Sequence, residues 1–275
     1  MLVEFIESEV FGKVFAPDSI SQILEIVGGS PEGPKSESIF MWRGQGDINW
    51  AIHSAGYRRL AGSIASRKPD EQDMRDYERS LLSEARHQGY GFEAGRRLSD
   101  FELLAKLQHH GAATRLIDVS RNMLVALWFA CNSRPENTGM LFGISAGSIL
   151  GLEGAYGYEN GDYIKNFPHT ISKNEQTFDF PIVWQPPVVT KRIAAQSAQF
   201  IYSNVSHEKM GSLILDGAIR HDGVIALAIT AKMKKKFLMV LERTFDIRLL
   251  TLFPDFDGFC RANSEVFSPL NNNRW

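Results

Sequence analysis

The stretch QHHGAATRLIDVSRNMLVALWFAC, residues 108–131, joins a short strand to an apolar helix. Its pattern predicts a strand over 114–120, and Asn122 is a residue type that caps helices, here in front of a helix predicted over 123–131. Because this helix is apolar on every side, we expect other elements to enclose it. The polar residues at both ends of the strand therefore lie beside the core.

Two charged residues, Arg115 and Asp118, lie within this mostly apolar stretch. Burying a charge is unfavourable unless a partner compensates it. We therefore expect a network that joins the two with Arg43, Thr114 and Asn122. Such a network either holds the core together or lines a cleft, and charge pairing alone leaves both roles open.

A second predicted strand, at 39–42, runs directly into Arg43, Gly44 and Gln45. Glycine lets a ligand approach the backbone, and arginine offers a planar fork of donors for a phosphate or a carboxylate. The alternative is a structural arginine that binds loop carbonyls or an internal aspartate. The spacing favours neither interpretation.

The rest of the chain mixes helices and strands without regular βαβ alternation. Amphipathic helices at 71–88 and 99–110 form a helical insertion of about 71–110. The other predicted elements are a helix at 20–27, strands at 139–145, 182–185, 199–203, 212–215 and 224–229, a helix at 231–244 and an aromatic turn at 253–259. This pattern predicts one α+β domain over residues 1–275, with a mixed or antiparallel sheet, an N-terminal helical segment and an excursion at about 146–180.

The composition excludes several classes of protein. The 275 residues carry a net charge of −2, so no overall field attracts nucleic acid or anionic lipid. Cys131 and Cys260 lie in apolar surroundings and are expected to be buried free thiols, which fits a reducing compartment. No apolar run reaches the roughly 20 residues that span a bilayer. We expect a cytoplasmic protein without strong general nucleic-acid binding or membrane attachment.

Three shorter motifs have weaker functional interpretations. Ser145 lies in a G-x-S-x-G pattern that can expose a nucleophile for acyl transfer, although a strand ending in a small-residue turn fits the flanking sequence better. His109 and His110 are adjacent rather than one helical turn apart, so no metal site is predicted. The lysines at 232 and 234–236 are expected to form a solvated helix face rather than a phosphate contact.

Three segments of the chain resemble the FRG domain, a bacterial family named for its Phe/Trp-Arg-Gly motif. The resemblance rests on WRGQ at 42–45, the stretch 108–131 and LFPDFDGF at 252–259, and it extends over roughly 20–262. It departs from the family pattern at Ala112-Ala113 before Thr114, at Val119-Ser120, and at Ala198 in place of a glycine. Such domains occur among phage-defence and toxin-like genes. The resemblance therefore implies a toxin-like effector with an antitoxin or a defence-complex protein as its partner.

The order of the segments is also similar to the layout of ADP-ribosyltransferases, in which an early arginine holds NAD and a late acid or glutamine addresses the ribose. This similarity implies Arg43, Asp118 and Gln196 as catalytic residues and NAD as the substrate. Gln196 cannot supply a negative charge, so Asp118 takes the role of the acid. The implied NAD-binding residues are Arg43, Gly44, Gln45, Trp50, Tyr57, His110, Thr114, Arg115 and Asn122.

A second hypothesis is a non-catalytic module that binds a nucleotide or a protein within a defence complex. On this hypothesis the pocket holds its ligand without turnover, or Asp118 is only the buried partner of Arg115. The two hypotheses differ in the effect of single substitutions, because an enzyme loses activity when one catalytic residue changes.

Overall fold

A computed structural model describes residues 4–29, 40–145, 150–151, 181–187, 190–215 and 223–265. Its strands are β1 (Phe5–Ser8), β2 (Gly12–Phe15), β3 (Phe40–Gln45), β4 (Phe92–Glu93), β5 (Arg96–Arg97), β6 (Ile117–Ser120), β7 (Gly139–Ser145), β8 (Leu150–Gly151), β9 (Ile182–Trp184), β10 (Ala198–Tyr202) and β11 (Val224–Ile229). Its helices are α1 (Ile20–Gly29), α2 (Ala55–Ser63), α3 (Glu71–His87), α4 (Asp100–His109), α5 (Met123–Asn132), α6 (Lys191–Ala195), α7 (Ala231–Phe245), α8 (Leu249–Leu252) and α9 (Phe256–Ala262).

The main sheet has the strand order β1-β2-β11-β7-β3-β6-β10-β9-β8 in the described part of the chain. The β11–β2 and β8–β9 pairs are parallel, and the other neighbouring strands run antiparallel. The predicted α+β class and the mixed sheet are therefore confirmed. The strand order also places β3 beside β6, which brings together the two polar segments that the sequence analysis identified.

Helix α5 is central, as its apolar composition predicts. It packs on β3 and β7 on one side and on α7 on the other, and Trp128 is only 2% exposed. Gly44 allows this close packing, since a Cβ atom there would lie 1.9 Å from the backbone oxygen of Ala126. The residue after Arg43 is therefore a helix-packing position.

Strands β3 and β6 pair at one position only, Trp42 with Ser120. On its other edge β3 pairs with β7 along six positions, and β6 pairs with β10 along four. The junction of β3 with β6 is thus the least paired of these three, and the cavity described below lies there.

The predicted helices at 71–88 and 99–110 are observed as α3 and α4, with the small β4–β5 hairpin between them. Each helix begins with a capping box, formed by Asp70 with Asp73 and by Ser99 with Glu102. In such a box two side chains satisfy backbone N–H groups that have no partner within the helix. Local capping chemistry therefore fixes both helix starts: α3 begins at the predicted residue, and α4 begins one residue later than predicted, after its capping residue Ser99.

Helix α1 confirms the predicted helix at 20–27, whereas the β1–β2 hairpin in front of it was not predicted. Two other predictions about local structure were wrong. The segment 212–215 is not a strand, although Leu213 and Leu215 are buried. The predicted aromatic turn continues into α9, which Asp255 caps by accepting a hydrogen bond from the backbone N–H of Gly258.

Two predictions about burial were also wrong. Cys131 is buried as expected, but Cys260 is exposed on α9. Lys234 is 1% exposed, in contrast to its neighbours in the lysine cluster, and its ammonium group donates to the carbonyl oxygens of Gly46, Ser133 and Arg134 at 2.8 Å each. It thereby joins α7 to the loops that follow β3 and α5.

Apart from β8, the predicted excursion at about 146–180 lies outside the described residues. Among the helices that the structure describes, none combines the length and apolarity of a membrane span.

Candidate functional site

A cavity of about 340 Å³ lies between the β3–β6 junction, helix α5 and the α6–α8 region. Its volume is within the roughly 300–1,000 Å³ range of small-molecule sites. The cavity is lined by Trp42, Arg43, Gly44, Ala105, Gln108, His109, Asp118, Val119, Ser120, Val125, Ala126, Phe129, Arg192, Ile193, Gln196, Ala198, Phe200 and Phe253. Charged and carboxamide groups therefore share one enclosure with aromatic rings.

Arg43 and Asp118 are the charged groups at the β3–β6 junction. The Nη1 of Arg43 donates to the backbone oxygen of Asp118 at 2.8 Å, and the Nε of Arg43 donates to Oε1 of Gln45 at 3.2 Å. Gln45 in turn donates to the backbone oxygen of Trp50 at 2.8 Å. These bonds fix the direction of the guanidinium group, and no carboxylate of the described residues lies within ion-pair distance of it.

Asp118 is held by a separate chain of hydrogen bonds. Gln108 Nε2 donates to Asp118 Oδ1 at 2.8 Å, and the hydroxyl of the buried Thr114 donates to Gln108 Oε1. The predicted polar network therefore includes Arg43, Asp118 and Thr114. Gln108, which the sequence analysis assigned no role, is its central link.

The electrostatics of the cavity follow from its shape. Solvent reaches Asp118, but protein surrounds the carboxylate, and this desolvation raises its pKa even though the nearby Arg43 charge lowers it. Desolvation likewise lowers the pKa of Arg43, while Asp118 raises it and Arg58 lowers it. Arg58 lies exposed on α2, so it adds a second positive charge near Arg43. An anionic group at Arg43 would relieve this repulsion.

The opposite wall is held by ion pairs and hydrogen bonds around α6. Arg192 donates from Nε and Nη2 to the two carboxylate oxygens of Asp255 at 2.9 Å, and its guanidinium lies 4.6 Å from the ring centre of Phe253. Gln196 donates from Nε2 to the Leu252 oxygen at 3.0 Å. The wall is therefore preorganised, since its polar side chains are fixed by partners within the protein.

Aromatic side chains complete the cavity. Phe129 of α5 and Phe253 pack edge to face with ring centres 6.0 Å apart, and Trp42 and Phe200 line the cavity from β3 and β10. Aromatic faces of this kind stack on planar rings of a ligand. The arrangement suits a ligand that combines an anionic group with a flat ring.

Four of the predicted site residues line this cavity: Arg43, Gly44, Asp118 and Gln196. Gln45 and Thr114 lie behind it and hold Arg43 and Gln108, as described above. The predicted catalytic set is thus brought together in one place. Its chemical roles remain a prediction.

The other predicted binding residues do not line the cavity. Trp50 is exposed beside Arg134, Tyr57 stacks on His53, and Asn122 caps α5. His110 is at the surface, where its side chain is 61% exposed.

Arg115 also has a different place from the predicted one. Its side chain is 2% exposed and forms ion pairs with Glu78 at 2.7 Å and Glu71 at 3.0 Å, both on α3. The alternative that Asp118 serves only as the buried partner of Arg115 is therefore wrong. Arg115 binds the helical insertion to the sheet.

The structure adds cavity residues that the sequence analysis did not assign. Gln108 and Phe129 lie within the stretch 108–131. A polar Gln108 is also expected on a helix surface and an apolar Phe129 in the core, so neither indicated a binding site. Arg192 and Phe253 come from distant parts of the chain, so only tertiary structure places them here. Ser145, the alternative nucleophile, is 4% exposed at the end of β7 and is not among the residues that line the cavity.

Comparison with known proteins gives one family. Residues 38–138 match the FRG domain. No curated protein and no solved structure is detectably similar to the chain. The matched range includes Arg43, Gln108 and Asp118, whereas Arg192 and Gln196 lie beyond it.

Proposed function

The chain carries an FRG domain at residues 38–138, and we propose that it is a toxin-like effector of a bacterial phage-defence or toxin–antitoxin system. In this proposal the Arg43–Asp118 cavity binds NAD and the protein transfers ADP-ribose to a macromolecule in the cytoplasm. The observation that carries it is the meeting of a fixed guanidinium, a desolvated carboxylate and aromatic rings in one cavity.

Binding follows from the charges and rings. Arg43 presents a guanidinium to the cavity and has Arg58 as a positive neighbour, which suits a pyrophosphate. Phe129 and Phe253 supply the apolar surface for the nicotinamide ring. At about 340 Å³ the cavity holds the nicotinamide and ribose end of NAD, with the pyrophosphate at Arg43.

The proposed reaction breaks the bond between C1′ of the ribose and the nicotinamide nitrogen. Nicotinamide leaves as a neutral molecule with the bonding electrons, and positive charge develops on the ribose. The Asp118 carboxylate stabilises that charge. A nucleophile of the acceptor then forms the new bond to C1′, and its proton passes to Asp118, whose raised pKa makes it a better base than an ordinary aspartate.

The test compares the protein with an Arg43→Ala variant, each incubated with labelled NAD and a cell extract. Wild-type protein is expected to release nicotinamide and to transfer label, and the variant to lose at least about 100-fold in rate, because it loses a preorganised charge. Arg97→Ala serves as the matched control, since Arg97 is an exposed arginine on β5 that does not line the cavity. Absence of nicotinamide release from wild-type protein would contradict the proposal.

The second candidate is a module that binds a nucleotide or a protein without turnover. Gln196 favours this candidate. It takes the late position at which the transferase layout has an acid or a glutamine, and its carboxamide cannot carry a charge. This candidate predicts no nicotinamide release in that experiment. It also predicts that NAD raises the melting temperature of the purified protein. Under the first proposal, by contrast, a neutralising antitoxin would be recognised by co-purification with the inactive Arg43→Ala variant, which is expected to be tolerated by cells.

A further inference from the structure

Two adjacent histidines and an aspartate meet where the end of α4 faces the start of α9. His109 is the last residue of α4, His110 follows it, and Asp257 lies in the first turn of α9. One potential ligand atom from each of the three lies within 4.8 Å of the other two. His110 is the C-cap residue of α4 and departs from helical geometry, with φ −93° and ψ 16°, and its ring centre lies 4.7 Å from that of His109.

One pair of ligand atoms in this cluster has a separation close to that found in metal sites. The Nδ1 of His110 is 3.6 Å from Oδ2 of Asp257, which is longer than a hydrogen bond. In a tetrahedral zinc site with bonds of about 2.0–2.1 Å, neighbouring ligand atoms are about 3.3–3.4 Å apart. The two atoms are therefore close to the separation that a shared ion would impose.

A carboxylate also orients one of the histidines. The Nε2 of His109 lies 3.3 Å from Oδ2 of Asp255, and the ion pair with Arg192 holds Asp255 in place. Histidines that bind metals commonly have a carboxylate at one ring nitrogen, which fixes the orientation of the ring. Both carboxylate oxygens of Asp255 already accept hydrogen bonds from Arg192, so Asp255 orients His109 rather than serving as a fourth ligand.

We propose that His109, His110 and Asp257 form a binding site for a divalent transition-metal ion, with Zn²⁺ as the preferred ion. Two imidazoles and one carboxylate are a donor set that zinc accepts. Three protein ligands leave a fourth coordination position for water, as in catalytic rather than structural zinc sites. Because His109 also lines the cavity, the proposed site adjoins it.

The test uses the full chain, freed of metal by a chelator and titrated with Co²⁺ in the absence of NAD. Wild-type protein is expected to bind one equivalent and to develop the visible absorption of four-coordinate Co²⁺, which Zn²⁺ then displaces. The double variant His110→Ala, Asp257→Asn is expected to weaken binding by well over tenfold, because loss of an orienting partner alone costs 10–100-fold. Both side chains are about 60% exposed, so the variant is expected to fold.

The matched control is the double variant His87→Ala, Asp76→Asn, which removes an exposed histidine and an exposed aspartate from α3. It is expected to bind Co²⁺ as the wild type does. Absence of the absorption from wild-type protein, or equal binding by the His110→Ala, Asp257→Asn variant, would overturn the proposal. Since no NAD is present, the outcome is independent of the proposed transferase activity.

Discussion

Asp118 is reached by solvent but enclosed by protein, and this enclosure determines how its ionisation affects the free energy of unfolding. Desolvation raises its pKa, so the ionised carboxylate opposes folding at neutral pH. We expect Asp118→Asn to keep the hydrogen bond from Gln108 and to leave the free energy of unfolding equal to or above that of the wild type, while NAD turnover falls at least about 100-fold. Urea denaturation and nicotinamide release check the two halves. A clear loss of stability would instead assign Asp118 a structural role.

Lys234 is also desolvated, which lowers its pKa, but its ammonium group donates to three backbone oxygens. Removing the ammonium group leaves the buried oxygen of Gly46 without this donor, and it removes the partly buried hydrogen bonds to the oxygens of Ser133 and Arg134. Since an unsatisfied buried group costs about 1–3 kcal/mol, we expect Lys234→Met to reduce the free energy of unfolding by about that amount. Denaturant titration measures this, and Lys235→Met, at an exposed neighbour, is expected to change little.

Among the elements, α5 depends most directly on a glycine. A Cβ at residue 44 would lie 1.9 Å from the Ala126 oxygen, so Gly44→Ala must push α5 away from β3. Overpacking of this kind costs about 1–3 kcal/mol, and we expect that loss in thermal or urea unfolding. Gly62→Ala is the control, because Gly62 has no neighbour within 4 Å of its Cβ position and alanine favours helix α2. Equal stability of the two variants would contradict the packing argument.

The elements that the sequence predicted well are those with strong local patterns. β7 and β11 have the predicted bounds, and α5 ends one residue later than predicted, because long apolar runs and a capping asparagine specify them without reference to the rest of the chain. The β1–β2 hairpin escaped prediction because its strands are only four residues long and partly exposed. Leu213 and Leu215 alternate like a strand, yet irregular backbone also buries such leucines.

The candidate site shows the same division between local and distant information. Asp118 was predicted because it places a charge within an apolar segment, and Arg43 because it follows an apolar strand beside a glycine. Arg192 and Phe253 reach the cavity from segments that are distant in sequence, and no local pattern reports such a meeting. No metal site was predicted at His109 and His110, because adjacent residues within a helix point in different directions, but His110 departs from helical geometry at the C-cap of α4.

At the scale of the whole molecule, carboxylates with lowered pKa set the response to acid. Hydrogen bonds from Arg67 and from the backbone of Asp70 lower the pKa of Asp73 to about 2. At Asp255 burial raises the pKa, but the hydrogen bonds from Arg192 and from the backbone of Gly258, together with the nearby positive charge, outweigh this and lower it. A lowered pKa in the folded state stabilises the protein above the unfolded pKa and loses this effect as the pH falls.

We therefore expect the free energy of unfolding to decrease from about pH 5 to pH 2, as Asp255 and then Asp73 become protonated. Asp118 opposes this trend, because its raised pKa means that protonation stabilises the folded protein. Urea unfolding across this range measures the slope, which is expected to be shallower in Asp255→Asn. A stability that is constant over the range would show that these ion pairs do not contribute.

The contrast between the two cysteines makes the protein suited to site-specific labelling. The thiolate is the form that reacts with maleimides, and burial raises the pKa of Cys131 to about 12, whereas Cys260 is exposed. A fluorophore added to the unmodified sequence at neutral pH should therefore attach to Cys260 alone. It would be located on α9, the helix whose capping residue, Asp255, holds Arg192 at the cavity wall, so changes in its emission could report ligand entry without any engineered substitution.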